Sequence, residues 1–431
     1  MHQPSSDPWI SGDRPLRIAH FTDTYLPRRD GVITSLRTLT TALRGAGHDT
    51  LTVVPRHPDQ PEESGVRRLR SLPCGVADLR LASWPRTRHL VELADWAPDL
   101  VHVHTPGPAG LLGVFAARRL GLPLVHTYHT DLHAYVDAYR VPVTALRMGV
   151  RMYARRLGID RPRVQRVRPR TARRRAAMDA GNLLLIGGAD AVVVPTPAVL
   201  SRANLPVPGD LISRVPTGVA AREVSDADVA AFRRRYGLSP RPPTVLFVGR
   251  VNREKGVELL ISAFGRLLTS RPGARLVLIG AVYEPRWLSG LLDSAGVAER
   301  TIVTGQQDPD VVAAAYRAAD VFAFPSRTDT QGLVLQEAAL AGLPIVMVDP
   351  TLHSGGPLAG AATLSEPWAE PFAGHLERLL ADPDTTRALA ATAHAHASRH
   401  TPQRYAEAML AVYAEASARR AAVSLQPQLA A

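Results

Sequence analysis

Short, nearly continuous apolar runs alternate with longer amphipathic stretches along most of this chain. Apolar runs of four to eight residues between polar, Gly or Pro positions fit strands buried on both faces, as in parallel sheets. In the first half they predict strands at Leu16–Phe21, Thr50–Val54, Leu100–His104, Pro123–Tyr128 and Ala191–Pro195. A helix is predicted from about Gly31 to Leu43, closed by Gly45 and Gly47. The pattern restarts at Thr244–Val248 and continues at Arg275–Ile279, Thr301–Thr304, Val321–Phe324 and Pro344–Val348. Strands alternating with helices predict an α/β architecture with parallel sheets. Thr401-Pro402 opens a last amphipathic helix with Tyr405, Met409 and Tyr413 on one face.

A chain of 431 residues exceeds one ordinary core, so two domains are expected. Pro206, Pro208 and the Pro240-Arg-Pro-Pro run place the boundary between about 195 and 243. The expected division is 1–205, an N-terminal doubly wound domain, and 206–400, a second one. Residues 401–422 form a helix expected to pack back on the first domain. Ligands of doubly wound sheets bind beyond the carboxyl ends of the strands, so the loops after each strand are where chemistry is sought.

Composition narrows the setting. Hydrophobic content of 45% and charged content of 21% describe a globular chain. A single cysteine, Cys74, excludes an internal disulfide framework and fits a reducing compartment. The N-terminus lacks a basic region followed by an apolar stretch, and Leu183–Val194 is too short and broken to span a bilayer. A cytoplasmic protein, soluble or peripheral on the inner membrane face, is the expectation. The net charge of +12 favours anionic partners. Eleven arginines against one acid, Asp160, lie between Arg151 and Arg175. This arginine-rich insertion at 151–175 reads as a solvated loop or as a patch for anionic lipid, carried by Arg161, Arg163, Arg166, Arg168 and Arg170. No nucleic-acid module accompanies it, so nucleic acid is not expected as a partner.

Of 51 basic side chains, Lys255 is the one lysine. Lysine is a compact point charge and arginine a planar fork, so this position reads as one where a fork does not serve. Lys255 follows the run Thr244–Val248, Gly249 and Arg250, and a helix begins near Gly256. A strand, a turn and a helix N-terminus together make an anion site. A second rich stretch is Pro325-Ser-Arg-Thr-Asp329-Thr-Gln-Gly332-Leu333, leading into a helix that carries Glu337 and stops at Gly342 and Pro344. Two carboxylates facing one cleft can each hold a pair of hydroxyls; as plain structure, Asp329 is a helix-start charge and Glu337 a solvated face. His102 with His104, and His126 with His129 and His133, have metal-ligand spacing, but strand-end structural roles are favoured. Asp226-Ala-Asp228 and Asp308-Pro-Asp310 sit where caps are needed. Gly107, Gly110 and Gly113 lack the order of a dinucleotide fingerprint.

Several of these stretches resemble one family in its own order, over about residues 16 to 350. Asp329-x7-Glu337 followed by Ala-x-x-Ala-Gly342-x-Pro344 is similar to the Glu-x7-Glu signature of retaining glycosyltransferase family 4, of GT-B fold. Gly249-Arg250…Glu254-Lys255-Gly256 resembles its phosphate loop, and Phe21-Thr-Asp23…Asp30-Gly31-Val32 its N-terminal glycine loop. Asp99-Leu-Val-His-Val-His104 and His126-Thr-Tyr-His129-Thr-Asp131 resemble two further segments.

The resemblance implies two Rossmann-like domains facing across a cleft and transfer of a sugar from a UDP- or GDP-sugar to an acceptor hydroxyl. It implies that Arg250 and Lys255 hold the donor diphosphate, Glu337 the ribose, and Asp329, Gly332 and Leu333 the transferred sugar. Gly31 would let a helix N-terminus approach the phosphate, and His129 would sit beside the anomeric centre. Neither a metal nor another cofactor is implied. The wording around Gly332 and His129 leans towards the glycolipid-forming and α-mannosyltransferase branch, hence a lipid or lipid-linked acceptor. A soluble small-molecule acceptor and a non-catalytic binding protein on an anionic membrane are the alternatives. The chain departs from the family at Asp329, one methylene shorter than Glu, at Thr217 and Ala220, and at Ala281-Val-Tyr283-Glu284.

Overall fold

The apolar runs fold as parallel strands. The computed structural model describes residues 14–74, 80–129, 132–133, 141–160, 162, 170–203 and 205–429. The chain divides into two compact units. The first holds the described residues up to Pro195, Val199–Gly218 and the stretch from Pro402; the second holds Thr196–Ala198 and Val219–Thr401.

The first unit contains β1 (Arg17–Phe21), β2 (Asp49–Pro55), β3 (Val66–Leu69), β4 (Ser71–Pro73), β5 (Arg80–Ala82), β6 (Leu100–Val103), β7 (Leu124–Thr127), β8 (Ala191–Val194) and β9 (Ile212–Arg214). Seven of them form a parallel sheet in the order β3-β2-β1-β6-β7-β8-β9, while β4 and β5 pair as a separate antiparallel ribbon. The order reverses at β1, so the switch point lies between β1 and β6. The two-residue strand period splits the sheet into two cores. Ala19, Phe21, Val101, Val103, Leu124, Val192 and Val194 pack with the helix Pro108–Leu120. Ile18, Leu100, Val125 and Val193 face Leu39 and Leu43 of the helix Gly31–Gly45, and Tyr405, Met409, Val412 and Tyr413 of the helix Pro402–Leu429. Each buried aliphatic side chain contributes roughly 1.5–3 kcal/mol. Polar bonds fix this last helix as well. The Tyr405 hydroxyl lies 3.0 Å from Ser35 Oγ, and the Tyr413 hydroxyl 2.8 Å from His102 Nδ1.

The second unit contains β10 (Thr244–Val248), β11 (Arg275–Ile279), β12 (Thr301–Gly305), β13 (Val321–Phe324), β14 (Ile345–Met347) and β15 (Thr363–Leu364), all parallel in the order β12-β11-β10-β13-β14-β15. Its order reverses at β10, and the switch point lies between β10 and β13. Leu246, Val277, Phe322 and Phe324 line one face, and Val245, Phe247, Leu278 and Ala323 the other.

The arginine-rich stretch is not one loop. Arg151–Leu157 belongs to the helix Val143–Leu157, which buries Val150, Ala154 and Leu157, and Arg170–Arg175 opens the helix Arg170–Ile186. Helical periodicity there was masked by arginines on the outer positions. Arg161, Arg163, Arg166 and Arg168 lie outside the described residues, as does the side chain of Arg170. No described helix is long and apolar enough to cross a membrane.

Candidate active site

In the second unit the two loops flanking the switch point carry the predicted residues. After β10 the chain turns through Gly249 and Arg250 into a short 3₁₀ turn, Arg253–Lys255, capped by Asn252 Oδ1, which accepts from the Lys255 amide at 3.1 Å. Gly256 then adopts φ +73°, and the helix Val257–Ser270 begins. A Cβ on Gly256 would stand 2.3 Å from the Pro325 carbonyl oxygen, so this turn lies against the loop after β13. That loop runs from Pro325 to Gly332, whose φ of +68° starts the helix Leu333–Leu340.

This packing brings Lys255 to Asp329. Its ammonium donates to Asp329 Oδ1 at 2.7 Å, with both side chains largely buried. Burial alone would raise the Asp329 pKa. The Lys255 charge and hydrogen bond, with Ser326 and Arg250, outweigh it and hold the carboxyl below its ordinary value. Arg250 donates to Glu254 Oε1 at 3.1 Å, and Thr328 donates to the same oxygen at 3.3 Å. Glu254 Oε2 is buried and meets no hydrogen-bond partner among the described residues. Two cations and two helix starts thus converge at one switch point, with a carboxylate against each cation. The arrangement can take an anion that exchanges with those carboxylates.

Glu337 is separate from this pair. It lies within the helix Leu333–Leu340, half-buried, and accepts from the Tyr316 hydroxyl at 2.9 Å. Burial raises its pKa despite that bond. A solvated face does not describe it, because Tyr316 and the core cover it. In the same stretch, Gln331 donates to Gln336, both buried.

In the first unit, Gly31 opens its helix behind Asp30, which accepts from the Ile33 amide at 3.0 Å and from Thr24 Oγ1 at 2.9 Å. His129 follows β7 and its Nε2 lies 2.9 Å from His104 Nδ1. Burial pushes the His129 imidazole down to about 4, with Asp30 opposing. Asp23 is half-buried and accepts from the amides of Ala109 at 2.7 Å and Gly110 at 3.3 Å, and from Thr105 Oγ1 at 2.6 Å. It therefore caps the helix Pro108–Leu120.

The histidines sort by face. His126 lies opposite Val103 in register, on the other face of the sheet from His102, and His133 bonds Asp179 at 2.7 Å. His126, His129 and His133 thus do not form one ligand set. His20, His102 and His104 do approach, with nitrogens all within 4.8 Å. Both His102 nitrogens are already bonded, to Tyr413 and to Thr127 Oγ1 at 2.7 Å, so hydrogen bonding accounts for that ring. Asp228 completes a capping box with Ser225, as its position suggested. By sequence alone, Glu254 and His20 have no role of their own, and His104 stands only as a candidate metal ligand beside His102. Only the spacing of Glu254 four residues after Arg250 could have signalled the first.

Comparison with known proteins gives this geometry a family. Residues 228–396 match the model for glycosyl transferases group 1, and residues 29–223 the model for glycosyltransferase family 4. The chain is 28% identical over 345 residues to alpha-monoglucosyldiacylglycerol synthase of Streptococcus pneumoniae, covering 77% of this chain and 70% of the relative. It is 31% identical over 337 residues to D-inositol 3-phosphate glycosyltransferase of Segniliparus rotundus, covering 76% and 68%. Among solved structures it is similar to Anabaena HepE in complex with UDP-glucose, at 18% identity and a TM-score of 0.66, covering 92% of this chain and 98% of that one. That likeness is one of fold, two Rossmann-like domains of the GT-B kind. With both halves matched in order, the chain belongs to glycosyltransferase family 4 and is a glycosyltransferase.

Proposed function

We propose that this enzyme moves a sugar from a UDP- or GDP-sugar to an acceptor hydroxyl of a lipid or lipid-linked molecule, with retention and without a metal. The observation that carries the donor half is the convergence of Arg250, Lys255 and Asp329 at the switch point between β10 and β13. In this reading Arg250 and Lys255 neutralise the leaving diphosphate, the main catalytic lever where no side chain serves as nucleophile. Asp329, released from Lys255 by the diphosphate, binds sugar hydroxyls with the amides of Gly332 and Leu333. Glu337 holds the ribose, and Gly31 and His129 serve from the first unit. The lipid acceptor is supported by the similarity to a glucosyldiacylglycerol synthase. A soluble acceptor, such as a polyol phosphate, is supported by the similarity to the inositol phosphate enzyme.

Calorimetric titration with UDP, GDP and their sugars tests the donor half. Glu337→Ala should weaken nucleotide and nucleotide sugar alike, and Asp329→Ala the nucleotide sugar alone. Equal losses in both variants contradict the assignment. Sedimentation with anionic vesicles separates the acceptors. Replacing Arg161, Arg163, Arg166, Arg168 and Arg170 with Gln should abolish binding if the acceptor is reached at a membrane. Equal sedimentation of parent and variant favours the soluble acceptor.

A further inference from the structure

Three imidazoles form a hydrogen-bonded file from the middle of the first sheet to His129. His20 Nδ1 on β1 lies 3.0 Å from His104 Nε2, and His104 Nδ1 lies 2.9 Å from His129 Nε2. His20 and His104 are almost fully buried. The His102 ring lies under His104 at a centroid distance of 3.9 Å, and the His104 and His129 rings are stacked within 19° of parallel. The file therefore has little room to rearrange.

Burial pushes His20 down to about 3 and His104 well below its ordinary value, so with His129 all three rings are neutral at physiological pH. A neutral imidazole carries one N–H and one bare nitrogen. The two hydrogen bonds then allow two proton arrangements. In one, His20 donates from Nδ1, His104 donates from Nδ1, and His129 accepts at Nε2. In the other, every bond reverses and the last proton sits on His20 Nε2. That nitrogen is buried and meets no hydrogen-bond partner among the described residues. A buried N–H without an acceptor is rarer and costlier than an unused lone pair. The first arrangement is favoured, and in it the His129 proton is on Nδ1.

We propose that His104, backed by His20, is a positioning residue that holds His129 as its Nδ1–H tautomer. In that state His129 Nε2 accepts from His104 and takes no proton from the acceptor. The effect on turnover rests on the reading of His129 as a reaction-site residue; the tautomer does not.

The test uses the full chain with 15N-labelled histidine and no substrate. Two-bond 1H–15N correlations should show His129 protonated at Nδ1 and bare at Nε2. His104→Leu should turn His129 into a mixture of tautomers and lower turnover about tenfold or more, with the donor KM unchanged. His104→Asn, whose amide N–H can replace Nδ1–H, should restore both. A parent spectrum with His129 protonated at Nε2 overturns the proposal, as do identical His129 signals in His104→Leu. The parent spectrum decides even where the Leu substitution prevents folding. Full turnover in His129→Ala alongside an Nδ1–H spectrum removes His129 from the reaction site and leaves the tautomer assignment standing.

Discussion

Lys255 shows what one atom's placement does. Its ammonium is a point donor to Asp329 in a largely buried loop pair, and a guanidinium is a wider, planar fork. Lys255→Ala should cost at least about tenfold in kcat/KM, about 1.4 kcal/mol. Lys255→Arg should also lose activity while keeping the fold, and full activity of that variant refutes the special role. The pair also predicts a pH dependence. Asp329 is held below the ordinary carboxylate value, so it binds fewer protons folded than unfolded. Its stabilisation is present above about pH 4 and is lost as pH falls through the depressed value. Without Lys255, burial acts on Asp329 with its nearest cation gone. The Tm difference between parent and Lys255→Ala should therefore be widest at neutral pH and narrow towards about pH 3. A difference that does not change with pH contradicts this account.

At the scale of elements, the contact between the two switch-point loops rests on a missing side chain. Gly256 has a left-handed backbone, and its Cα faces the Pro325 carbonyl. Gly256→Ala should destabilise by about 1–3 kcal/mol and weaken nucleotide binding by moving Lys255 from Asp329. Gly290, inside the helix Pro285–Ser294 with open space around it, is the control. Gly290→Ala should be neutral or stabilising by up to about 1 kcal/mol. Chemical denaturation checks both, and equal midpoints would remove the steric argument. Legibility follows the same physics. The central strands, among them Thr244–Val248 and Arg275–Ile279, are buried on both faces and so read as apolar runs in the sequence. Three of the four edge strands of the parallel sheets, β3, β9 and β15, are short, carry arginines or one exposed face, and left no pattern. The two candidate-site loops were legible as local motifs after strands, but the Lys255–Asp329 bond between them joins positions 74 residues apart. The His20–His104 bond joins positions 84 residues apart, and no local signal encodes such a meeting.

For the whole molecule, the last helix completes the first unit. Tyr405, Met409 and Tyr413 cover Ile18, Leu100, Val125 and Val193, and Arg420 pairs with Asp190 at 2.8 Å. A chain ending at Thr401 should lose hydrogen-exchange protection in β1, β6 and β7 while β10 to β14 keep theirs. Unchanged protection in the first sheet would show that the helix is dispensable. The same return of the chain has a consequence for synthesis. Val219–Thr401 is one uninterrupted stretch, whereas the first unit draws on residues from both sides of it. Domains fold as units while the chain emerges from the ribosome. Here the half that is translated second has all its parts first, and the half translated first must wait, with one face of its sheet only partly covered, for the helix Pro402–Leu429 to emerge.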